Sequence, residues 1–189
     1  MHKLLDYRKI IGKDAIEDIK SRAEELVGRH FVHINSTYQG GGVAEMLSSL
    51  VPLMNHLGID TGWRILHGNP DFFTITKKFH NALQGSKINL TEMKKKLYIQ
   101  ANKEFSIYTH INHDAVIIHD PQPLPLINFY KKKQPWIWRC HIDLSKPNKE
   151  VWNFLKQFVK KYDLLMFSDK SYLRRDVRVP QRVIYPAID

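Results

Sequence analysis

His33-Ile34-Asn35-Ser36-Thr37-Tyr38-Gln39-Gly40-Gly41-Gly42-Val43-Ala44-Glu45 is the stretch whose reading decides the fold. An apolar run, Phe31 to Ile34, leads into it, and an amphipathic run, Val43 to Leu57, leads out. Strand, glycine-rich turn and helix in that order present backbone N–H groups to an anion. Three consecutive glycines remove every Cβ from the turn, so positive φ is open and a ligand can approach the backbone closely. The spacing is neither G-x-G-x-x-G nor G-x-x-x-x-G-K-[ST], so the dinucleotide and P-loop readings fail. On spacing alone, a plain connecting loop stays open as the competing reading.

Working outward, the chain alternates strands and helices. Upstream, Ile16, Ile19, Ala23, Leu26 and Val27 recur at helical spacing between Gly12 and Gly28. Downstream, Val43 to Leu57 carries a broad apolar stripe that Pro52 should kink, and Gly58 ends it. Asp60 to Leu66 reads as a second strand, making a βαβ unit and a parallel sheet. Asp71 is a candidate N-cap for a helix Phe72 to Gln84, and a long helix runs from Leu90 to about His110. Ala115-Val116-Ile117-Ile118 reads as a strand buried on both faces. Leu124 to Tyr130 reads as a short helix, Trp136-Ile137-Trp138 as a strand and Asn148 to Lys161 as a helix. Leu164 to Phe167 and Arg182 to Tyr185 are the last strands.

This pattern predicts an α/β fold: a Rossmann-like, doubly wound, mostly parallel sheet of about six strands. Residues 1–28 are read as a helical segment packing on the domain, and residues 29–189 as the domain itself. No apolar run approaches the ~18 residues of a membrane span, and the first residues lack the apolar core of a signal peptide. The single cysteine, Cys140, excludes an internal disulfide and a multi-cysteine zinc site. The chain reads as cytoplasmic and free of membrane. Twenty-nine Lys and Arg against nineteen Asp and Glu leave a net charge of +10. The basic clusters are scattered over predicted helices with no interleaved aromatic stripe, so they read as solvated faces rather than a nucleic-acid surface.

Ligands of doubly wound sheets sit beyond the carboxyl ends of the strands. Asn35 to Gly42, His119 to Gln122 and Arg139 to Asp143 carry polar residues at that edge. His119 and Asp120 could act as metal ligands, a base or a hydroxyl clamp. With His141 and Asp143 they keep a metal site open, against the simpler reading that they satisfy turn N–H groups. Prolines on either side of Gln122 stiffen that loop. Arg139 and His141 share one face of their strand and Cys140 the other. Cys140 lies in an apolar strand where thiol pKa rises, which argues against a nucleophile. His141 at the strand end can donate to a hydroxyl or to developing negative charge, and Asp143 can orient it or accept a hydroxyl. The other histidines are read as structural or surface residues.

Gly40-Gly41-Gly42-Val43-Ala44-Glu45, His119-Asp120-Pro121-Gln122-Pro123, Trp136 to Asp143 and Pro186-Ala187-Ile188-Asp189 together resemble the N-terminal half of a retaining, two-domain GT-B glycosyltransferase. The family they are most similar to is the trehalose glycosyltransferring synthases, which Lys77 to Gly85 also resembles. The resemblance implies transfer of glucose from a nucleoside-diphosphate-glucose to free glucose, forming trehalose with retention. It implies an acceptor-side domain in which Gly41 and Gly42 cover the donor phosphate. His141 would sit beside the donor glucose, and Asp120, Gln122, Asp143 and Arg139 are substrate-binding candidates. No cofactor is required, and no protein site for Mg²⁺ is identified.

The donor-binding half that supplies cations to the departing diphosphate has no counterpart in these residues. The expectation is therefore that the chain alone is inactive, that a C-terminal half or a separate donor-domain partner completes it, and that a homodimer could cover an exposed apolar edge. The rival readings are a non-catalytic sugar-binding domain, one half of a split glycosyltransferase, a nucleic-acid binder and a nucleotide-dependent oxidoreductase. The last lacks both G-x-G-x-x-G and an acidic residue at the end of the second strand.

Overall fold

The computed structural model describes residues 3–186. Ala187, Ile188 and Asp189, part of the terminal motif quoted above, lie outside the described residues. Among the described residues six strands form one sheet: β1 (His30–Asn35), β2 (Asp60–Ile65), β3 (Ala115–His119), β4 (Trp136–Cys140), β5 (Leu164–Phe167) and β6 (Gln181–Val183). All neighbours pair in parallel, in the order β2-β1-β3-β4-β5-β6. The helices are α1 (Arg8–Glu24), α2 (Gly42–His56), α3 (Pro70–Leu83), α4 (Glu92–Tyr108) and α5 (Lys149–Val159).

Local chemistry explains most of the boundaries. α1 is broken at Gly12 (φ 82°, ψ 171°), so its regular part begins where the sequence places it. α2 runs through Pro52 to His56. The cap of α3 is Asn69 rather than Asp71: Pro70 lacks an N–H and suits the first helical position, and Asn69 Oδ1 accepts from the Phe72 N–H at 2.8 Å. Thr91 caps α4 and Asn148 caps α5 through side-chain oxygens. Leu124–Asn128 is a 3₁₀ turn and not a full helix, because prolines at 123 and 125 remove the N–H groups an α-turn needs. The last strand ends at Val183 instead of Tyr185.

The two faces of the sheet differ. Val32, Ile34, Val116, Ile118, Trp136, Trp138 and Cys140 alternate onto one face and are fully buried. There they meet Phe72 and Phe79 of α3, Tyr98 of α4, and Leu155 and Phe158 of α5 in one apolar cluster. The opposite face, carrying Phe31, His33, Ala115, Ile117, Ile137 and Met166, meets α2 across a groove of about 740 Å³ that Tyr7 also lines. β3 is therefore closed on one side only: Ala115 and Ile117 are half-buried, against the double burial its apolar run predicts. In α2 only Ala44 and Leu47 are buried, and Met46, Leu50, Leu53 and Met54 line the groove.

Candidate functional site

β1 leads through α2 to β2 on one side, and the chain then returns to place β3 on the other side of β1. That reversal is the topological switch point, where a crevice opens beyond the carboxyl ends of the two strands. The glycine turn leaves β1 and the His119-Asp120 corner leaves β3, so both border the same crevice. β4 is next to β3 and brings His141 to the same edge. The resulting cleft, about 590 Å³, is lined by Gly40, Gly41, Gly42, Asp120, Gln122 and His141 among others.

Each wall is held from below. The glycine turn hangs on Asn35, whose Nδ2 donates to the Thr37 carbonyl at 2.7 Å and whose Oδ1 accepts from Trp63 Nε1 at 2.8 Å. Gly40 (φ 74°) and Gly41 (φ 97°) take the left-handed backbone that only glycine adopts readily, and Gly41 caps α2. Gly42 is different: it has ordinary helical backbone, and a Cβ built there meets nothing within 4 Å. The Asp120 corner, also at positive φ (60°), is pinned by three buried donors. Trp138 Nε1 donates to the Asp120 carbonyl at 2.8 Å, Tyr98 OH to the Pro121 carbonyl, and Asn102 Nδ2 to the Gln122 carbonyl at 3.0 Å. Asp120 Oδ1 accepts the His141 backbone N–H at 2.8 Å, joining two strand ends directly.

Electrostatics follow burial. Loss of water pushes the Asp120 carboxyl up to about 7, against the pull of the His141 N–H and the Arg139 guanidinium. The same cause, reinforced by Arg139, pulls His33 and His141 down to about 4 and His119 well below its ordinary 6.5. The imidazoles are therefore neutral at pH 7, while Asp120 sits near its midpoint. A neutral imidazole beside a half-protonated carboxyl can donate and accept hydrogen bonds to hydroxyls without placing a fixed charge among them.

Of the seven residues predicted from sequence, Gly41, Gly42, Asp120, Gln122 and His141 line the cleft together. Arg139 lies behind it in the groove, where Nη2 donates to the Ile184 carbonyl at 3.1 Å. Asp143 lies outside the lining and accepts the Ser145 N–H at 2.7 Å in a turn. His80, Ser168 and Tyr172 line the cleft unforeseen. Ser168 follows β5 directly, so the strand-end rule applied to that strand would have found it. His80 comes from α3, and only its place in the Lys77–Gly85 tract hinted at it. Among the described residues, no group of three or more His, Cys, Asp or Glu is arranged to hold a metal ion. No helix among them is long and apolar enough to cross a membrane.

The family model described as "Trehalose synthase, N-terminal domain" matches residues 33–174. The trehalose synthase of Thermococcus litoralis is 55% identical over 186 residues, covering 97% of this chain and 45% of that protein. The trehalose synthase of Rubrobacter xylanophilus is 39% identical over 196 residues, covering 100% of this chain and 47% of that protein. The chain thus spans under half the length of these relatives. The crystal structure of α,α-trehalose 6-phosphate synthase from Burkholderia multivorans is similar in fold, with TM-score 0.51 at 14% identity over 77% of this chain and 40% of that one. The α/β sheet is thereby similar to half of a GT-B glycosyltransferase fold.

Proposed function

Because the chain belongs to the trehalose synthase N-terminal domain family, we propose that residues 29–189 are the acceptor-side domain of a retaining glycosyltransferase, with residues 1–28 packing on it. The reaction moves glucose from a nucleoside-diphosphate-glucose to the anomeric hydroxyl of a second glucose, giving trehalose. What carries the reading is the convergence of Gly41, Gly42, Asp120, Gln122 and His141 on one switch-point cleft. The α2 N-terminus behind Gly41 offers the Gly42 and Val43 N–H groups and its dipole to a diphosphate. His141 donates to the donor glucose or to charge developing at the departing oxygen. Asp120 and Gln122 bind acceptor hydroxyls, and Arg139 acts from behind through its charge on Asp120 and the histidines.

Cations for the departing diphosphate are proposed to come from a donor-side half, corresponding to the part of the relatives that these residues do not span. Residues 1–189 on their own would bind glucose or trehalose and turn over neither. Nucleotide sugars are cytoplasmic metabolites, and the chain is read as a cytoplasmic one.

The test joins residues 1–189 to the C-terminal half of the Thermococcus litoralis trehalose synthase. Trehalose is assayed with nucleoside-diphosphate-glucose and glucose, and glucose 1-phosphate serves as the alternative donor. Trehalose from the nucleotide donor is expected, with a loss of about 10²–10⁴-fold in His141→Ala. No trehalose from a folded fusion sinks the reading, and turnover by residues 1–189 alone sinks the division of labour.

A further inference from the structure

His33 stands on β1, His119 at the end of β3 and His141 one residue past the end of β4, so the three follow adjacent strands. His33 Nδ1 lies 2.9 Å from His119 Nε2, and His119 Nδ1 lies 3.0 Å from His141 Nε2. His119 and His141 are stacked with centroids 5.4 Å apart, and His119 lines both cleft and groove. At the inner end His33 Nε2 is buried without a partner. At the outer end His141, half-buried, lines the cleft, and its Nδ1 has no hydrogen-bond partner among the described residues.

We propose that His33 and His119 are positioning residues: their hydrogen-bonded chain fixes which nitrogen of His141 carries its proton and leaves Nδ1–H as a donor into the cleft. The chain rests on geometry alone; the use of that donor rests on the reading of the cleft as a sugar-transfer site.

With one proton per ring, only two polarities satisfy both contacts. Running outward, His33 Nδ1–H donates to His119 Nε2, His119 Nδ1–H donates to His141 Nε2, and His141 keeps Nδ1–H for the cleft. Running inward, His141 Nε2–H donates to His119, His119 Nε2–H donates to His33, and His33 Nε2–H is left as a buried donor with no acceptor. The outward order leaves a bare lone pair at His33 Nε2 instead. Orphaned buried N–H groups are rarer than orphaned acceptors. The charge nearby points the same way. Arg139 lies opposite His119 in the sheet register, is nine-tenths buried, and has its own Nε without a partner. A guanidinium offers donors only, so a cation on this face favours a lone pair at the inner end over another N–H. Burial and Arg139 keep all three rings neutral, which holds the count at one proton each.

The outward order puts the proton on Nδ1 in all three rings, the less common tautomer of a free imidazole, which makes it recognisable. Long-range ¹H–¹⁵N correlation spectra of residues 1–189 at pH 7, with ¹⁵N-labelled histidine, are expected to show His33, His119 and His141 as Nδ1–H. His33→Asp replaces the first donor with an acceptor, which forces the inward order and should shift His141 to Nε2–H. His33→Asn, whose amide nitrogen takes the place of Nδ1, should restore the wild-type pattern. In the fusion enzyme, His33→Asp should lower kcat by about 10–100-fold with KM little changed, and His33→Asn should recover most of it. An Nε2–H tautomer at His141 in the wild-type chain overturns the proposal, and that spectrum needs no variant to fold. Unchanged His141 tautomer and kcat in a folded His33→Asp overturn it equally. Correct tautomers in a fusion that makes no trehalose leave the chain standing and remove the sugar-transfer reading instead.

Discussion

One sheet carries two unlike faces. Toward α3, α4 and α5 it presents Trp136, Trp138, Val32, Ile34 and Ile118, all without exposure, locked by ring contacts such as Phe79 with Tyr98 at 5.0 Å. Toward α2 it presents His33, His119 and Arg139 among half-buried aliphatics, beside an open groove. Because side chains of a strand alternate, every strand contributes to both faces with the same backbone. The packed face supplies stability, and it also holds the other face's chemistry in place: Trp138, Tyr98 and Asn102 reach from the core to the carbonyls of residues 120–122. The open face keeps polar groups at reduced hydration, where hydrogen bonds and small charge shifts have large effects.

Acid should break the contrast most. His33 and His141 sit at about 4 when folded against an ordinary 6.5, and His119 also lies well below it. The unfolded chain therefore takes up protons first, so their contribution is complete above pH 6.5 and is lost as pH falls toward 4. Asp120 has the opposite sign: its folded value of about 7 exceeds the unfolded 3.8, so it gains stability over the same fall. Three histidines act against one carboxyl, so acidification leaves a net loss of stability. Denaturant midpoints measured from pH 7.5 to 4 check this, and a flat profile would refute the burial of the histidines as described. His33→Phe should flatten the slope.

Trp138→Ala on the packed face should cost about 3–5 kcal/mol, since it opens a large cavity and removes the donor to Asp120. Ile117→Ala, on the neighbouring strand but facing the groove, should cost about 1 kcal/mol, because the side chain is half-exposed already. Equal costs in urea titrations would show that the second face is covered in solution. The smallest effect is sharpest in meaning. Gly42→Val should leave stability within about 0.5 kcal/mol, as a β-carbon has room there. Trehalose formation by the fusion should fall about 10-fold or more, as the new side chain enters the space proposed for the donor phosphate. Unchanged turnover would reduce the glycine turn to a connector.

Much of this was legible in the residues. The alternation of strands and helices, the apolar runs Phe31–Ile34 and Trp136–Trp138, and the three polar strand ends came from period and composition. Asn69 could have been preferred to Asp71 by weighing Pro70, since a proline at the first helical position makes the preceding residue the cap. The histidine chain was not legible. His33 sits mid-strand, 86 residues from His119, and nothing local marks it as other than structural.

Local chemistry therefore determined the elements, the left-handed glycine turn and the edge at which a ligand would sit, because propensity, hydrophobic period and backbone sterics act within a few residues. Only the tertiary structure decided that β1 lies between β2 and β3, that Arg139 turns to the groove while His141 reaches the cleft, and that three imidazoles meet. Strand order and register are settled by which apolar faces bury each other across the whole chain, and pairing of strands far apart in sequence leaves no signature in either strand alone.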